Sequence, residues 1–166
     1  MESTKLKLIG KGMFSKVYRV SEKEVIIKSF CPAKECMALF FDKSKYFPPI
    51  ERIDYQEYKM PYYDKVSSLK TTLKPKQYQL YLELRKLSIP YTTNRYNKLN
   101  EWENQFKTIK DKILRNNLLM AVGELSNYGQ DISFEISPRN VAVKNGNLIL
   151  LDCFYSSDLV NKIRTK

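Results

Sequence analysis

Three oxygen-bearing side chains in the last third of the sequence have a spacing that suits metal binding and acid–base catalysis. Four residues separate Glu135 from Asn140, and Asp152 follows two apolar runs later. Carboxylate and amide oxygens, together with water, are the ligands that Mg²⁺ prefers. Asn140 and Asp152 are therefore candidate metal ligands, and Glu135 is a candidate acid or base beside them. A surface hairpin with ordinary polar flanks is the alternative interpretation of this stretch alone.

A predicted β-hairpin brings these side chains together. Asn145-Gly146 separates the apolar runs 141–143 and 148–151, and this dipeptide between apolar runs is the strongest short hairpin signal. In a hairpin, the residue before the first strand lies beside the residue after the second. We expect Asn140 and Asp152 at the open end, with Glu135 in the loop that precedes them.

A glycine-containing turn near the N-terminus is a second candidate binding element. Residues 8–18 read LIGKGMFSKVY, and the strand-like segment EVIIK ends at Lys28. Glycine has no side chain, so the backbone N–H groups of such a turn approach phosphates closely. We expect Lys28 to face the same cleft. Phe14, at the tip, is either a lid over the phosphates or a turn aromatic that packs locally.

Composition narrows the possible chemistry. The chain has 166 residues, of which 43% are hydrophobic, which predicts one folded domain. It has no histidine, which excludes Ser-His, Cys-His and His-metal mechanisms. Phosphoryl transfer needs only carboxylates, lysine, backbone amides and Mg²⁺. The net charge of +11 supports attraction to nucleic acid or to an acidic protein surface and helps to gather ATP, and a scattered solvated surface is the commoner meaning of excess lysine. Nucleic-acid binding is the minority interpretation, because RNA-binding and zinc-finger signatures are absent.

The sequence also predicts a compartment. No apolar run is long enough to span a bilayer, and the N-terminus lacks the apolar stretch of a signal peptide. Cys31, Cys36 and Cys153 have no metal-ligand spacing, which predicts free thiols in a reducing compartment. We expect a soluble cytoplasmic protein without a membrane partner.

Periodicity predicts an α+β fold in a single domain, residues 1–166. We expect an antiparallel β N-lobe to about residue 62, with strands in 4–30 and 46–63 and a helix that begins at Pro32. Glu35, Leu39 and Met37 of that helix would face inward. A helical C-lobe from about residue 64 would contain helices over about 75–87 and about 99–128. Gly129 ends the second of these, which we interpret as a core helix and not a dimer seam.

Four segments together resemble the protein-kinase family. GKGMFSKVY resembles the glycine-rich loop, VIIK the strand of the ATP-anchoring lysine, EISPRN the catalytic loop and LDCF the metal-binding Asp motif. The resemblance covers about residues 5–155 and is nearest to the early Ser/Thr protein kinases of T7-like bacteriophages, which phosphorylate host proteins. Only twelve residues follow Phe154, so we expect no counterpart here of the long activation segment and later helices of ordinary kinases.

The resemblance implies an ATP- and Mg²⁺-dependent protein kinase that modifies host proteins in the host cytoplasm. It assigns catalysis to Lys28, Glu135, Asn140 and Asp152, and Mg²⁺ binding to the last two. Glu35 would hold Lys28 toward the phosphates, or be a solvated helix residue. Arg139 would stabilise the transferred group, or be a solvated loop residue. The remaining ATP-binding residues implied are Gly10, Lys11, Gly12, Met13, Phe14, Ser15, Met60 and Tyr62.

The sequence departs from the kinase pattern in three places, and two alternatives stay open. Glu135 replaces the catalytic aspartate, Ser133-Phe134 replaces His-Arg, and Phe154 replaces the glycine of the Asp motif. The main alternative is a pseudokinase that binds an acidic partner without phosphate transfer. The third interpretation is a small-molecule kinase of the aminoglycoside or choline type, because residues 137–140 are similar to its H-P-x-N loop.

Overall fold

The computed structural model describes residues 6–40, 44–88, 98–129 and 131–166. The predicted fold class is confirmed: the fold is α+β, with a five-stranded antiparallel sheet first and helices with two small sheets after it. Within the described ranges, no helix combines the length and apolar character needed to cross a membrane. The predicted helix break at residues 89–93 lies outside the described residues.

The N-terminal sheet is built by five short strands. Their bounds are β1 Lys7–Lys11, β2 Ser15–Arg19, β3 Glu24–Ser29, β4 Glu51–Asp54 and β5 Glu57–Pro61. The strand order is β1-β2-β3-β5-β4, and every neighbouring pair is antiparallel. Successive side chains of a strand point to opposite faces, so β3 and β5 each present one buried and one more exposed row.

Helix α1 (Pro32–Phe40) connects β3 to β4 and begins at Pro32, as predicted. Proline suits this position because the first helical N–H has no partner within the helix. The prediction that Leu39 faces inward is wrong, because Leu39 is exposed, and the same prediction for Met37 is confirmed, because Met37 is buried. Lys34, Met37 and Ala38 are all buried, and a spacing of three and four residues puts them on one side of the helix.

The helices of the C-terminal part are α2 Leu69–Thr72, α3 Pro75–Ser88, α4 Lys98–Lys107, α5 Lys112–Leu125 and α6 Ser157–Arg164. The described chain has neither helix nor strand between residues 62 and 68, where the lobe boundary is predicted. The division into two lobes stays a prediction.

The single helix predicted over about 99–128 is wrong. Two helices, α4 and α5, occupy this segment and pack against each other, with residues 108–111 between them. Asp111 is the reason, because its carboxylate accepts a hydrogen bond from the Leu114 N–H at 2.8 Å and caps α5. Such a cap starts a new helix, although the hydrophobic spacing continues across the break. A 3₁₀ turn (Ser126–Tyr128) and Gly129 at φ +134° then end this helical segment.

The predicted hairpin is confirmed. Its strands are β7 Val141–Lys144 and β8 Asn147–Leu150, and Asn145 and Gly146 both have positive φ. Positive φ at both central residues is the mark of the I′ turn that matches strand twist. A second two-stranded sheet pairs β6 (Ile132–Phe134) with β9 (Phe154–Ser156). The hairpin also contacts α3, because Gln77 accepts a hydrogen bond from the Leu148 N–H at 2.9 Å.

An aromatic group joins these small sheets to α4. The ring centroids of Phe106 and Phe134 are 4.9 Å apart, those of Phe134 and Phe154 are 5.2 Å apart, and those of Trp102 and Phe134 are 5.5 Å apart. Phe106, Phe134 and Phe154 are almost fully buried. Since aromatic side chains bury large areas and contact each other in tilted or edge-on geometries, this group fixes β6 and β9 on the helices.

Candidate active site

Two loops between the small sheets form one wall of the site, the hairpin wall. The loops are residues 135–140, between β6 and β7, and residues 151–153, between β8 and β9. Backbone hydrogen bonds join them at both ends: Glu135 N–H donates to the Cys153 carbonyl at 2.9 Å, and Leu151 N–H donates to the Asn140 carbonyl at 2.9 Å. The structure therefore brings Glu135, Asn140 and Asp152 together on one wall.

The Asn140 side chain closes the first loop. Its Nδ2 donates to the Glu135 carbonyl at 2.9 Å, and its Oδ1 accepts from the Ser137 N–H at 2.7 Å. The Ser137 hydroxyl lies 3.4 Å from the same oxygen, at the long end of the hydrogen-bond range, so it holds the second acceptor site only weakly. Because an amide oxygen has two acceptor sites, Asn140 can hold the loop and still offer one of them to a ligand.

Asp152 pairs with a lysine that the sequence analysis missed. Lys34 Nζ lies 3.0 Å from Asp152 Oδ1 and donates to the Leu151 carbonyl at 3.0 Å. Lys34 is 3% exposed, whereas the Asp152 side chain is 49% exposed. A buried ammonium group needs such partners, because an unpaired charge in the interior is costly. The signal in the sequence was the helical spacing of Lys34 with Met37 and Ala38, which are buried on the same side of α1.

The turn between β1 and β2 forms part of the opposite wall. Gly12 N–H donates to the Ser15 carbonyl at 2.8 Å, which makes the turn tight. A Cβ atom at Gly12 would lie 3.3 Å from the Ser15 hydroxyl oxygen, a close contact that the Ser15 side chain would have to relax. All six predicted turn residues line the cleft: Gly10, Lys11, Gly12, Met13, Phe14 and Ser15. Phe14 also packs locally, edge-on against Phe30 with centroids 5.9 Å apart.

The predicted position of Lys28 is wrong. Lys28 lies on the outer face of the sheet, where its ammonium group pairs with Glu57, its register partner on β5. This hydrogen bond raises the pKa of Lys28 above its ordinary value. The physical reason is strand alternation: Val25 and Ile27 face the cleft, so Lys28, one residue further along, faces away.

The predicted pair between Lys28 and Glu35 is also absent. Glu35 instead accepts a hydrogen bond from Arg52 at 2.8 Å, on the exposed side of α1. Glu35 is not among the residues that line the cleft. Its position is set by the same helix rotation that puts Lys34 on the buried side.

The segment after β5 lines the cleft with the predicted residues Met60 and Tyr62, together with Pro61 and Tyr63. Pro61 has no backbone N–H, and the Tyr62 N–H donates to the Lys23 carbonyl at 2.8 Å. The Arg19 guanidinium carbon lies 3.7 Å from the centroid of the Tyr62 ring. Burial raises the pKa of the neighbouring Tyr63 hydroxyl. This segment is therefore held against β2 and β3.

The turn, the strand residues Val17, Val25 and Ile27, and the segment 60–63 together form the sheet wall. Between the sheet wall and the hairpin wall is a cleft of about 530 Å³. Tyr155, Val160 and Arg164 of the C-terminal segment also line the cleft, and the sequence did not predict them. Arg139, for which the sequence allowed either a role in the site or a solvated position, lines the cleft as well. No local motif marks these positions, because the packing of β9 and α6 brings them to the cleft.

The donors in the cleft fit a magnesium ion that is held mainly by phosphates. The described residues contain no group of three or more His, Cys, Asp or Glu side chains that could hold a metal. Asp152 supplies one half-exposed carboxylate, and Asn140 supplies one amide oxygen. Mg²⁺ commonly binds proteins through one or two carboxylates plus substrate phosphates. The residues therefore fit Mg²⁺ bound together with a nucleotide.

Comparison with known proteins gave structural matches only. No family model and no curated protein sequence matches the chain. A gentamicin complex of APH(2″)-IIa has a TM-score of 0.45 and 15% identity, and the match covers 95% of this chain and 68% of that one. The streptomycin–ATP complex of the same enzyme has a TM-score of 0.42, 15% identity, and 95% and 69% coverage. ADP-bound aminoglycoside phosphotransferase APH(2″)-Ib has a TM-score of 0.42, 15% identity, and 96% and 70% coverage.

Proposed function

We propose that this chain transfers the γ-phosphoryl group of ATP to a Ser or Thr hydroxyl of a protein acceptor. The observation that carries the proposal is the cleft itself, in which the glycine turn faces Asn140 and Asp152 across about 530 Å³. This volume is within the range of about 300–1,000 Å³ typical of small-molecule sites. Phosphoryl transfer relies on positioning and electrostatics more than on covalent chemistry, which suits a chain without histidine.

The nucleotide would lie between the two walls. Backbone N–H groups of the turn around Gly12 would bind its phosphates. Pro61 lacks an N–H, and the Tyr62 N–H is already bonded to the Lys23 carbonyl, so the Tyr63 N–H would be the first donor of this segment to bind the adenine edge. Asn140 and Asp152 would hold Mg²⁺, which when bound neutralises charge on the phosphate oxygens.

Glu135 would accept the proton of the attacking hydroxyl. It lines the cleft, and its backbone is fixed by the hydrogen bond to Cys153 and by the Asn140 side chain. A glutamate is one methylene longer than the usual aspartate, and a shift of about 1 Å can cost about 100-fold in rate. The two backbone restraints would let the acceptor site be built around the longer side chain.

The charges in the cleft favour an acidic acceptor. Its charged lining residues are the cations Lys11, Lys34, Arg139 and Arg164 and the acids Glu135 and Asp152. Since Lys34 already pairs with Asp152, three cations face one carboxylate. A polycationic aminoglycoside would meet like charge there, whereas a Ser or Thr flanked by acidic residues would meet opposite charge. This favours a protein acceptor over a small cationic one.

A second candidate function is a pseudokinase that binds an acidic partner. The observation that favours it is the bond from Lys34 to Asp152, which occupies one oxygen of the predicted metal ligand. This candidate predicts a thermal shift with Mg-ATP, or with an acidic partner, and no transfer of phosphate.

The test is transfer of label from γ-³²P-ATP with Mg²⁺ to three acceptors: Ser/Thr peptides with acidic flanks, the same peptides with basic flanks, and an aminoglycoside. We expect label on the acidic peptides. Asp152→Asn should lower the rate about 100-fold or more, because it weakens charge stabilisation in the transition state.

The matched control is Asp54→Asn, because Asp54 lies on β4 and is not among the residues that line the cleft. This variant should keep the wild-type rate. Label on the aminoglycoside alone would replace the protein acceptor with a small molecule. Equal rates for wild type and Asp152→Asn would refute the assignment of the site, and binding of ATP without any label would favour the pseudokinase.

A further inference from the structure

Lys11 and Lys34 line the nucleotide-sized cleft, and strand alternation keeps a third lysine, Lys28, out of it. On β3, Val25 and Ile27 line the cleft and Ser29 is buried, so the inward row ends without a cation. Lys28 belongs to the outward row and pairs there with Glu57. Its ammonium group faces a separate depression, which Glu57 and the turn residues Gly12 and Ser15 also line, and it is not among the groups that line the cleft.

Lys34 reaches the cleft from the other direction. It is the third residue of α1, and its ammonium group is 3.0 Å from both Asp152 Oδ1 and the Leu151 carbonyl. Lys34 is 3% exposed and yet lines the cleft. An ammonium group has three donors. Two of them contact the hairpin wall, which leaves one for a ligand oxygen.

We infer that Lys34, and not Lys28, is the lysine that binds the nucleotide phosphates. The inference rests on the proposed function and changes which element supplies the phosphate-binding cation: helix α1 in place of strand β3. A lysine is a compact charge on a flexible stem, suited to phosphate oxygens. Placed against Asp152, it joins the phosphate-binding charge directly to the predicted metal ligand.

The alternative role of Lys34 is structural, as a buried ion pair that joins α1 to the hairpin wall. Removing one partner of such a pair is strongly destabilising, whereas replacing both with neutral groups of similar size is often tolerated. The experiment therefore compares Asp152→Asn with the double variant Lys34→Met/Asp152→Asn. Both lack the ion pair, and they differ only in the cation.

Isothermal calorimetry without Mg²⁺ measures the affinity of each variant for ATP and, separately, for adenosine. Circular dichroism first shows that each variant is folded. We expect the double variant to bind ATP at least tenfold more weakly than Asp152→Asn and to bind adenosine equally well. A structural lysine would not discriminate between the two ligands. Lys28→Met is the matched control on the outer face and should bind ATP as the wild type does.

The outcomes separate the inference from the proposed function. Equal ATP affinity of the two Asp152 variants, or a loss of ATP affinity in Lys28→Met, would overturn the assignment of Lys34. If the wild-type chain binds neither ATP nor ADP, the proposed function itself fails. If either Asp152 variant does not fold, Lys34→Gln and Lys34→Arg give the same comparison: tenfold weaker ATP binding by Gln than by Arg supports the inference, and equal binding refutes it.

Discussion

The two walls of the cleft are built by different physical means. The hairpin wall is fixed by backbone hydrogen bonds, from Glu135 to Cys153 and from Leu151 to Asn140, and by the I′ turn at Asn145-Gly146. The sheet wall depends instead on which residues of β3 are buried. The difference explains why the predicted acid and amide positions agree with the structure, whereas the predicted lysine does not.

The residues of a turn determine its backbone geometry locally, whereas the whole fold determines which face of a strand is buried. Asn145 and Gly146 have the positive φ values that the hairpin needs, and this requirement is visible in two residues. The direction of the Lys28 side chain instead depends on how β3 pairs with β2 and β5. A one-residue change in register exchanges the two faces of a strand.

The largest change in transfer rate is expected from a substitution at Glu135, on the hairpin wall. Glu135→Gln keeps the size of the side chain and removes its ability to accept a proton. General-base catalysis contributes typically about 10²- to 10⁴-fold, so the initial rate of label transfer to acidic peptides should fall at least about 100-fold. The thermal shift with Mg-ATP should stay as in the wild type.

Glu57→Gln is the control for Glu135→Gln, because it makes the same chemical change at the outer-face partner of Lys28. We expect it to leave the transfer rate unchanged. If Glu57→Gln lowers the rate as much as Glu135→Gln does, the outer face takes part in catalysis, and the contrast between the two walls is wrong.

The misplaced lysine has a physical explanation in the sequence of β3. Val25, Ile26 and Ile27 are all apolar, so the strand has no hydrophobic alternation from which its inward row can be identified. The hairpin is marked by its turn residues, so the positions of Asn140 and Asp152 at its open end could be predicted. The break between α4 and α5 was readable at Asp111, whose capping role competes with a hydrophobic spacing that continues past it. The approach of α6 to the cleft depends on tertiary packing alone.

A change of intermediate size is expected at the hairpin turn. Gly146 has φ +75°, and a Cβ atom there would lie 3.0 Å from Lys74 Cγ. Gly146→Ala should lower the free energy of unfolding by about 1–2 kcal/mol, because a side chain is strained at positive φ. Gly123→Ala in α5, where an added Cβ meets nothing within 4 Å, should instead stabilise by up to about 1 kcal/mol. Urea unfolding of both variants measures the difference, and equal effects would contradict the role of the turn.

The smallest effect concerns the burial of α1, the helix that holds Lys34. Cys36 is fully buried on α1, and burial raises its thiol pKa from 9.0 to about 12. Because the folded state holds the neutral thiol, unfolding releases a proton once the pH exceeds the ordinary value. The stability present below pH 9 is therefore lost progressively between about pH 9 and 12.

Cys36→Ala removes this titration and leaves the other buried groups in place. The wild type should lose about 1.4 kcal/mol more stability than Cys36→Ala between pH 7.5 and pH 10, because each pH unit above the unfolded pKa costs about 1.4 kcal/mol per buried thiol. Urea unfolding in reducing buffer at the two pH values measures this difference, in which shared titrations cancel. Parallel pH dependence of the two proteins would mean that Cys36 ionises as readily in the folded state as in the unfolded chain, which would contradict its burial on α1.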